Sequence, residues 1–277
     1  MNRRFFLSYA SAGAVLAGGG GATASDREKT SHVFVLVHGA WHGGWCWRHV
    51  KAVLQGQGHR VFTPTLTGLG ERSHLFSAEI GLETHIQDLV NLIEWEELNN
   101  IVLVAHSYGG MPATGVVDRL KSRIRHIVYL DAGVPTDGDS FVSEGDELSP
   151  EALAASEAAV RALAPDGVAL ATFPAVMFGV PATDKDTVAW LDRRLTPHPL
   201  KTWLDPISLP NGGSDGLPRT YIHCTAPVLQ QSSFPYHAAI AKADPAWRYD
   251  EIATGHDAMV TAPLETARLI LAAATAS

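Results

Sequence analysis

Three short stretches carry residues that together could perform acyl transfer. The first is "LVAHSYGG", Leu103 to Gly110, where Ser107 has Ala105 two places before it and Gly109 two places after. A serine becomes a usable nucleophile when a sharp strand-to-helix turn lifts it clear and holds its backbone in a strained conformation. Strand and helix pack closely at such a turn, so both flanking positions must be small. Ala105 stands where glycine is usual, and one methyl group is a tolerable substitute. An ordinary strand-to-helix turn can carry the same residues, so this stretch points to a nucleophile only in company.

The second stretch is "VHGAWHGGWCW", Val37 to Trp47. Attack on a carbonyl develops an oxyanion, which needs donors aimed at it. The backbone N–H of Tyr108, right after the serine, is one candidate, and that of Ala40, in the loop after the first strand, is the other. Gly39 lets that loop come close. His38 and His42 have the i, i+4 spacing of metal ligands on a helix. They lie instead in a glycine-rich loop without an acidic neighbour, so no metal is expected. The third stretch is "ATGHDAMVTAP", Ala253 to Pro263, which sets His256 after a strand and a glycine and before the last helix. His256 is the candidate base. His106 would point away from the site, His223 lies within a strand, and His126, His198 and His237 read as structural or exposed.

These residues need elements to hold them. "HVFVLVHG" is a continuous apolar run, as in a parallel strand buried on both faces. Further strands are expected at Val61–Thr63, Ile101–Ala105, Ile127–Leu130, "RTYIHCT" and "AWRYDEIA". Helical patterns lie between them: Trp47 to Gln57, "THIQDLVNLIEWEEL" with Ile86, Leu89, Val90 and Ile93 on one face, and Gly109 to Lys121. Pro263 opens a final helix with Leu264, Ala267 and Leu271 on one stripe. This alternation implies an α/β fold with a parallel sheet covered on both sides. It breaks between about residues 135 and 218, where helix-like pieces at Pro150–Leu163 and Lys185–Leu195 and a turn-rich "SLPNGGSDGLP" replace it. That insertion reads as a mainly helical cap without strands.

Composition narrows the function. The 277 residues carry a formal charge of −8, with 46% hydrophobic and 18% charged residues. A sizeable core is therefore expected, and neither nucleic acid nor an anionic membrane surface is an expected partner. Residues 1–24 read as a twin-arginine-type signal peptide: Arg3 and Arg4 precede Phe6-Leu7, a glycine-rich apolar stretch follows, and Ala22 and Ala24 fit the small-residue cleavage rule. The apolar run is too short and interrupted to span a membrane. The expected partner is thus the twin-arginine export machinery, with no stable membrane anchor after cleavage and a periplasmic or secreted domain over residues 25–277. Cys46 and Cys224 read as small core residues, with pairing open in an oxidising compartment. A homodimer is also left open.

"FVLVHGAWHGGWCW", "GHRVFTPTLTGLG", "VLVAHSYGG", "VYLDAGVP", "TYIHCT" and "TGHDAMVTAP" together resemble the α/β-hydrolase superfamily, and within it plant methylesterases, hydroxynitrile lyases and their bacterial esterase relatives. The resemblance runs from about His32 to Ala274 and is weakest in the cap. It implies an α/β-hydrolase fold, a mostly parallel sheet flanked by helices, and a cofactor-free Ser-His-acid triad. Such relatives commonly carry the acid just after the strand reading "TYIHCT". Here no Asp or Glu occurs between Gly216 and Ala243, and Pro227 stands about where the acid would be. A base without its acceptor loses tautomer and orientation, at a cost of roughly 10⁴ in rate. Asp131 is the expected replacement: it ends the strand beside the nucleophile strand, at the carboxyl edge where sites in such sheets lie. Asp244, Asp250 and Asp257 are its competitors.

The expected function is hydrolysis of small to medium apolar or aromatic carboxylic esters by Ser107, His256 and Asp131 through an acyl-enzyme, with Ala40 and Tyr108 as oxyanion donors. Trp41, Trp45, Trp190 and Trp203, with Phe178, are expected to line the substrate pocket. Hydroxynitrile lyases resemble this chain but carry a threonine and a lysine where Gly39 and Asp257 stand, which disfavours lyase chemistry. Lactone, amide or C–C bond hydrolysis and a receptor-like ligand-binding role are the alternatives.

Overall fold

The strands form because long runs of β-branched and leucine residues alternate two apolar faces. In a computed structural model, which describes residues 31–145, 148–229 and 232–275, six of them build one parallel sheet. They are β1 (Val33–Val37), β2 (Arg60–Phe62), β3 (Ile101–Ser107), β4 (Ile124–Ala132), β7 (Arg219–Cys224) and β8 (Trp247–Ile252). Their order is β2-β1-β3-β4-β7-β8. β3, which ends at Ser107, is therefore central, flanked by β1 in the register Val37↔Ala105 and by β4. Phe34, Leu36, Val102 and Val104 face one apolar layer, and Val35, Val37, Leu103 and Ala105 face the other, as a two-residue period requires.

Helices cover both faces. The layer under Phe34 and Val102 takes Val50 and Leu54 of α1 (Arg48–Gly56) and Ala267, Ile270, Ala273 and Ala274 of α9 (Pro263–Thr275). Leu264 is exposed, so the buried stripe of α9 is turned from the expected Leu264–Ala267–Leu271 line. The opposite layer takes Ile86, Leu89, Val90 and Ile93 of α2 (Leu82–Trp95), as expected, with Met111, Ala113, Val116 and Val117 of α3 (Gly110–Leu120). Truncating Leu89 or Leu103 here to alanine would cost about 2–5 kcal/mol.

Between β4 and β7 lie α4 (Pro150–Ala162), α5 (Lys185–Asp192) and the short α6 (Lys201–Leu204). Ser149 and Asp184 cap the first two by accepting the N–H groups of Ala152 and Thr187. Contrary to the strandless expectation, this segment holds a two-residue antiparallel pair, β5 (Ala169–Leu170) with β6 (His198–Pro199). Leu170, Phe178, Leu200 and Ile207 share the α2–α3 layer, so the segment is sealed onto the sheet by apolar packing. The remaining elements are α7 (Phe234–Ala243), which the sequence reading missed, and a single turn, α8 (Ala258–Thr261), after His256. Among the described residues no helix is long and apolar enough to cross a membrane. The expected signal peptide lies outside the described residues. Cys46 and Cys224 are buried free thiols in the α1–α9 layer.

Candidate active site

Ser107 ends β3 with φ 57°, in the left-handed region that a non-glycine residue occupies only under constraint. Close approach of two loops imposes it. A Cβ on Gly39 would meet Ser107 Cβ at 2.7 Å, and one on Gly109 would meet the His38 carbonyl oxygen at 2.7 Å. Ala105, fully buried, does fit at the position before. The loop after β1 is held by His38, whose Nδ1–H donates to Gly39 O at 2.8 Å while Nε2 accepts from Leu66 N–H at 3.0 Å. Burial pushes His38 down to about 3, so it is a neutral brace. Ala40 and Tyr108 are both buried, and among the described residues neither backbone N–H has an acceptor within the protein.

His256 and Asp131 are brought together across 125 residues of chain. His256 Nδ1–H donates to Asp131 Oδ2 at 2.7 Å, which leaves Nε2 as the acceptor. Asp131 has φ 44° at the end of β4, and its second oxygen accepts from His223 Nδ1–H at 3.0 Å and from Cys224 N–H at 3.3 Å. The carboxylate on β4 thus reaches the end of β7. Burial alone would raise Asp131, but hydrogen bonds from His223 and His256 outweigh it and hold the carboxyl at about 2. Phe234, at the start of α7, stacks on the His256 ring with centroids 5.1 Å apart and planes 6° apart. Ser107 and His256 share no hydrogen bond among the described residues; such contacts often close only around a bound substrate.

His106, next to the serine, was expected to point away from the site; its ring packs against His256, with centroids 4.4 Å apart. Its Nε2–H donates to the His256 carbonyl at 3.0 Å, and burial pushes it down to about 3. Of the competing carboxylates, Asp257 is fully buried but pairs with His42, its Oδ2 3.1 Å from Nε2. Asp250 pairs with Arg248, and Asp244 accepts the Ala246 N–H.

The four tryptophans divide. Trp41 lies 5.4 Å from Trp203, 5.7 Å from Phe178 and 5.3 Å from Phe173, ring to ring. Through Phe141, 4.8 Å from Trp203 and 5.5 Å from Tyr108, they form an aromatic arc from the residue after the nucleophile to Phe178 beside His256. Trp45 stacks on His42 and packs against Trp190, which sits under the Arg48 guanidinium. A surface cavity of about 380 Å³ opens beside Trp190, lined by Arg48, Asp186, Arg193 and Val260, and includes neither Ser107 nor His256. Sequence reasoning missed His223, Phe141, Phe173 and Phe234. Nothing local marks them, because each acquires its role only by folding.

With this sheet, strand-end serine and histidine loop in place, the chain belongs to the alpha/beta hydrolase family, whose model matches residues 34–269. It is an enzyme of the carboxylic-ester hydrolase class. It is 45% identical, over 86% of its length and 98% of the relative's, to a carbendazim-hydrolysing esterase of Nocardioides sp. (strain SG-4G). Methylesterase 9 of Arabidopsis thaliana is 38% identical over 40% of this chain and 44% of its own. Among solved structures, an extracellular alpha/beta-hydrolase from a Paenibacillus species, described as sharing structural and functional homology with tobacco Salicylic Acid Binding Protein 2, superposes with a TM-score of 0.73. It is 25% identical, over 87% of this chain and 98% of that one.

Proposed function

We propose that the chain is a serine esterase in which Ser107 attacks, His256 moves the proton and Asp131 orients His256. Ser107 Oγ adds to the ester carbonyl carbon while its proton passes to His256 Nε2. The Ala40 and Tyr108 N–H groups receive the developing oxyanion. The tetrahedral adduct collapses, His256 protonates the departing alcohol, and an acyl-enzyme remains. Water then attacks the acyl carbon, giving up a proton to His256, and the acid leaves as Ser107 takes its proton back. The observation that carries this reading is the 2.7 Å His256–Asp131 bond, which fixes Nε2 as the acceptor.

The substrate side rests on the aromatic arc from Tyr108 to Phe178. It favours an ester or carbamate with a flat aromatic group, and the Nocardioides relative, named for hydrolysing carbendazim, supports the same class. The receptor-like alternative drew on the vacant acid position after "TYIHCT"; Asp131 reaching Cys224 N–H takes away that support. A panel of p-nitrophenyl esters, a lactone and carbendazim, run on the wild type and Ser107→Ala, tests the proposal. Turnover of aromatic esters or carbamates, lost by at least about 10³-fold in Ser107→Ala, is expected. Tight binding without turnover by the wild type would favour the receptor-like role. Export is proposed from the Arg3-Arg4 pattern and the extracellular Paenibacillus neighbour, and an N-terminus near Ser25 on secreted protein is the result it requires.

A further inference from the structure

His42 lies outside the proton path just described, yet both its ring nitrogens face oxygens: a backbone carbonyl, and a carboxyl that only accepts when it is ionised. Nδ1 is 2.7 Å from the Ala40 carbonyl oxygen, and Nε2 is 3.1 Å from Asp257 Oδ2. A neutral imidazole carries one N–H and can satisfy only one of them. Both contacts are made at once when the ring is an imidazolium and Asp257 a carboxylate. The pair is buried, with His42 1% and Asp257 0% exposed. Trp45 stacks on the ring at 5.5 Å, and Phe178 and His106 meet it edge-on.

The pair joins two functional loops. Ala40 is the oxyanion donor of the loop after β1, and its carbonyl is the group His42 holds. Asp257 follows His256 in the chain, and its own N–H donates to the Phe178 carbonyl at 3.0 Å. We propose that His42 is a positioning residue: as the buried cationic partner of Asp257, it locks the Ala40 peptide to the His256 loop, so that oxyanion donor and base keep one fixed spacing. This rests on the triad and oxyanion assignment above and adds a residue to it.

Asp257 Oδ1 has no hydrogen-bond partner among the described residues, so the charged pair rests on the Oδ2 contact with His42. Burial would push His42 down, but the charge and hydrogen bond of Asp257 outweigh it and raise it. Burial would raise Asp257, but His42 first, then His106 and His256, hold it below the usual carboxylate range. The other titratable groups near the pair, His38, His198, Cys46 and Cys224, are buried and neutral: burial pushes the two histidines down and the two thiols well up. A buried pair of this kind is poor at adding stability but good at fixing one geometry.

Asp257→Asn separates charge from shape. An asparagine amide can donate to Nε2 while Nδ1–H still donates to Ala40, so the contacts survive with a neutral ring. Nitrogen-15 histidine NMR of the whole protein at pH 7.5, with His42→Gln to assign the signal, reads the charge directly. Expected are an imidazolium at His42 in the wild type and an Nδ1–H neutral tautomer in Asp257→Asn. With p-nitrophenyl acetate, His42→Gln is expected to lower kcat by about 10-fold to 100-fold with KM within about twofold, because the donor is misplaced only for the transition state, while Asp257→Asn, which keeps both contacts, is expected to lose less than His42→Gln. A neutral His42 in the wild type overturns the proposal, whatever the kinetics. So does wild-type kcat in His42→Gln while Ser107→Ala is inactive. Full activity in Ser107→Ala would instead sink the triad reading, leaving the NMR result to decide the charge at His42.

Discussion

At the scale of single residues, Asp131 carries the most weight, because its two oxygens serve different partners. Oδ2 holds His256, while Oδ1 is shared by His223 and the Cys224 N–H. Asp131→Asn puts an amide where His256 needs an acceptor and is expected to lower kcat by about 10⁴-fold. His223→Ala leaves Oδ2 and the Cys224 N–H in place, so a loss within about tenfold is expected. Steady-state kinetics on one ester checks both, and equal losses would contradict this division of labour. The sequence pointed to Ser107 and His256 through the residues around them. Asp131 emerged by elimination and strand order. His223 was set aside because a histidine inside a strand gives no sign of which way it faces.

At the scale of elements, the site depends on the segment between β4 and β7 closing onto the His256 loop. Gly179, at φ 80°, ends the turn Ala175–Phe178; a Cβ there would meet Gly255 Cα at 2.6 Å and His256 N at 3.1 Å. Gly179→Ala is strained at this φ and must displace the base, so a lower thermal midpoint and, for a shift near 1 Å, a kcat lower by about 10²-fold are expected. Unchanged kcat would mean that this contact does not position His256. The central strands were legible because "VFVLV" and "IVLVA" have no other stable use than a sheet buried on both faces. β4 was read as Ile127–Leu130 and proved longer, Ile124–Ala132, which takes Asp131 into the strand. α7 was missed because Ser232, Ser233 and Pro235 read as loop and its buried face is built largely of His237, Ala238 and Ala241. The β5–β6 pair is too short to leave a two-residue period.

At the scale of the whole molecule, the buried histidines dominate the response to acid. Burial lowers His38 and His106 to about 3, His85 and His126 to about 4, and His198 well below 6.5. The unfolded chain binds protons that these five refuse, so stability falls as pH drops below 6.5 toward those values. His42 is raised, so its share is full below 6.5 and disappears as pH climbs through its folded value. Asp131 adds its loss only as pH falls from 3.8 toward 2. Stability is therefore expected to fall as pH drops from 6.5, read as a falling urea midpoint by circular dichroism. A midpoint constant from pH 7 to 4 would contradict it. The sequence showed thirteen histidines but not their burial, and the His42–Asp257 pair spans 215 residues, beyond any local pattern. The central claim is that Ser107 carries the acyl group, and rapid-quench peptide mass spectrometry with p-nitrophenyl acetate tests it most directly. An acetyl group on the Ser107 peptide in the wild type, and none in Ser107→Ala, is the predicted result; acetylation elsewhere, or full turnover by Ser107→Ala, would contradict it.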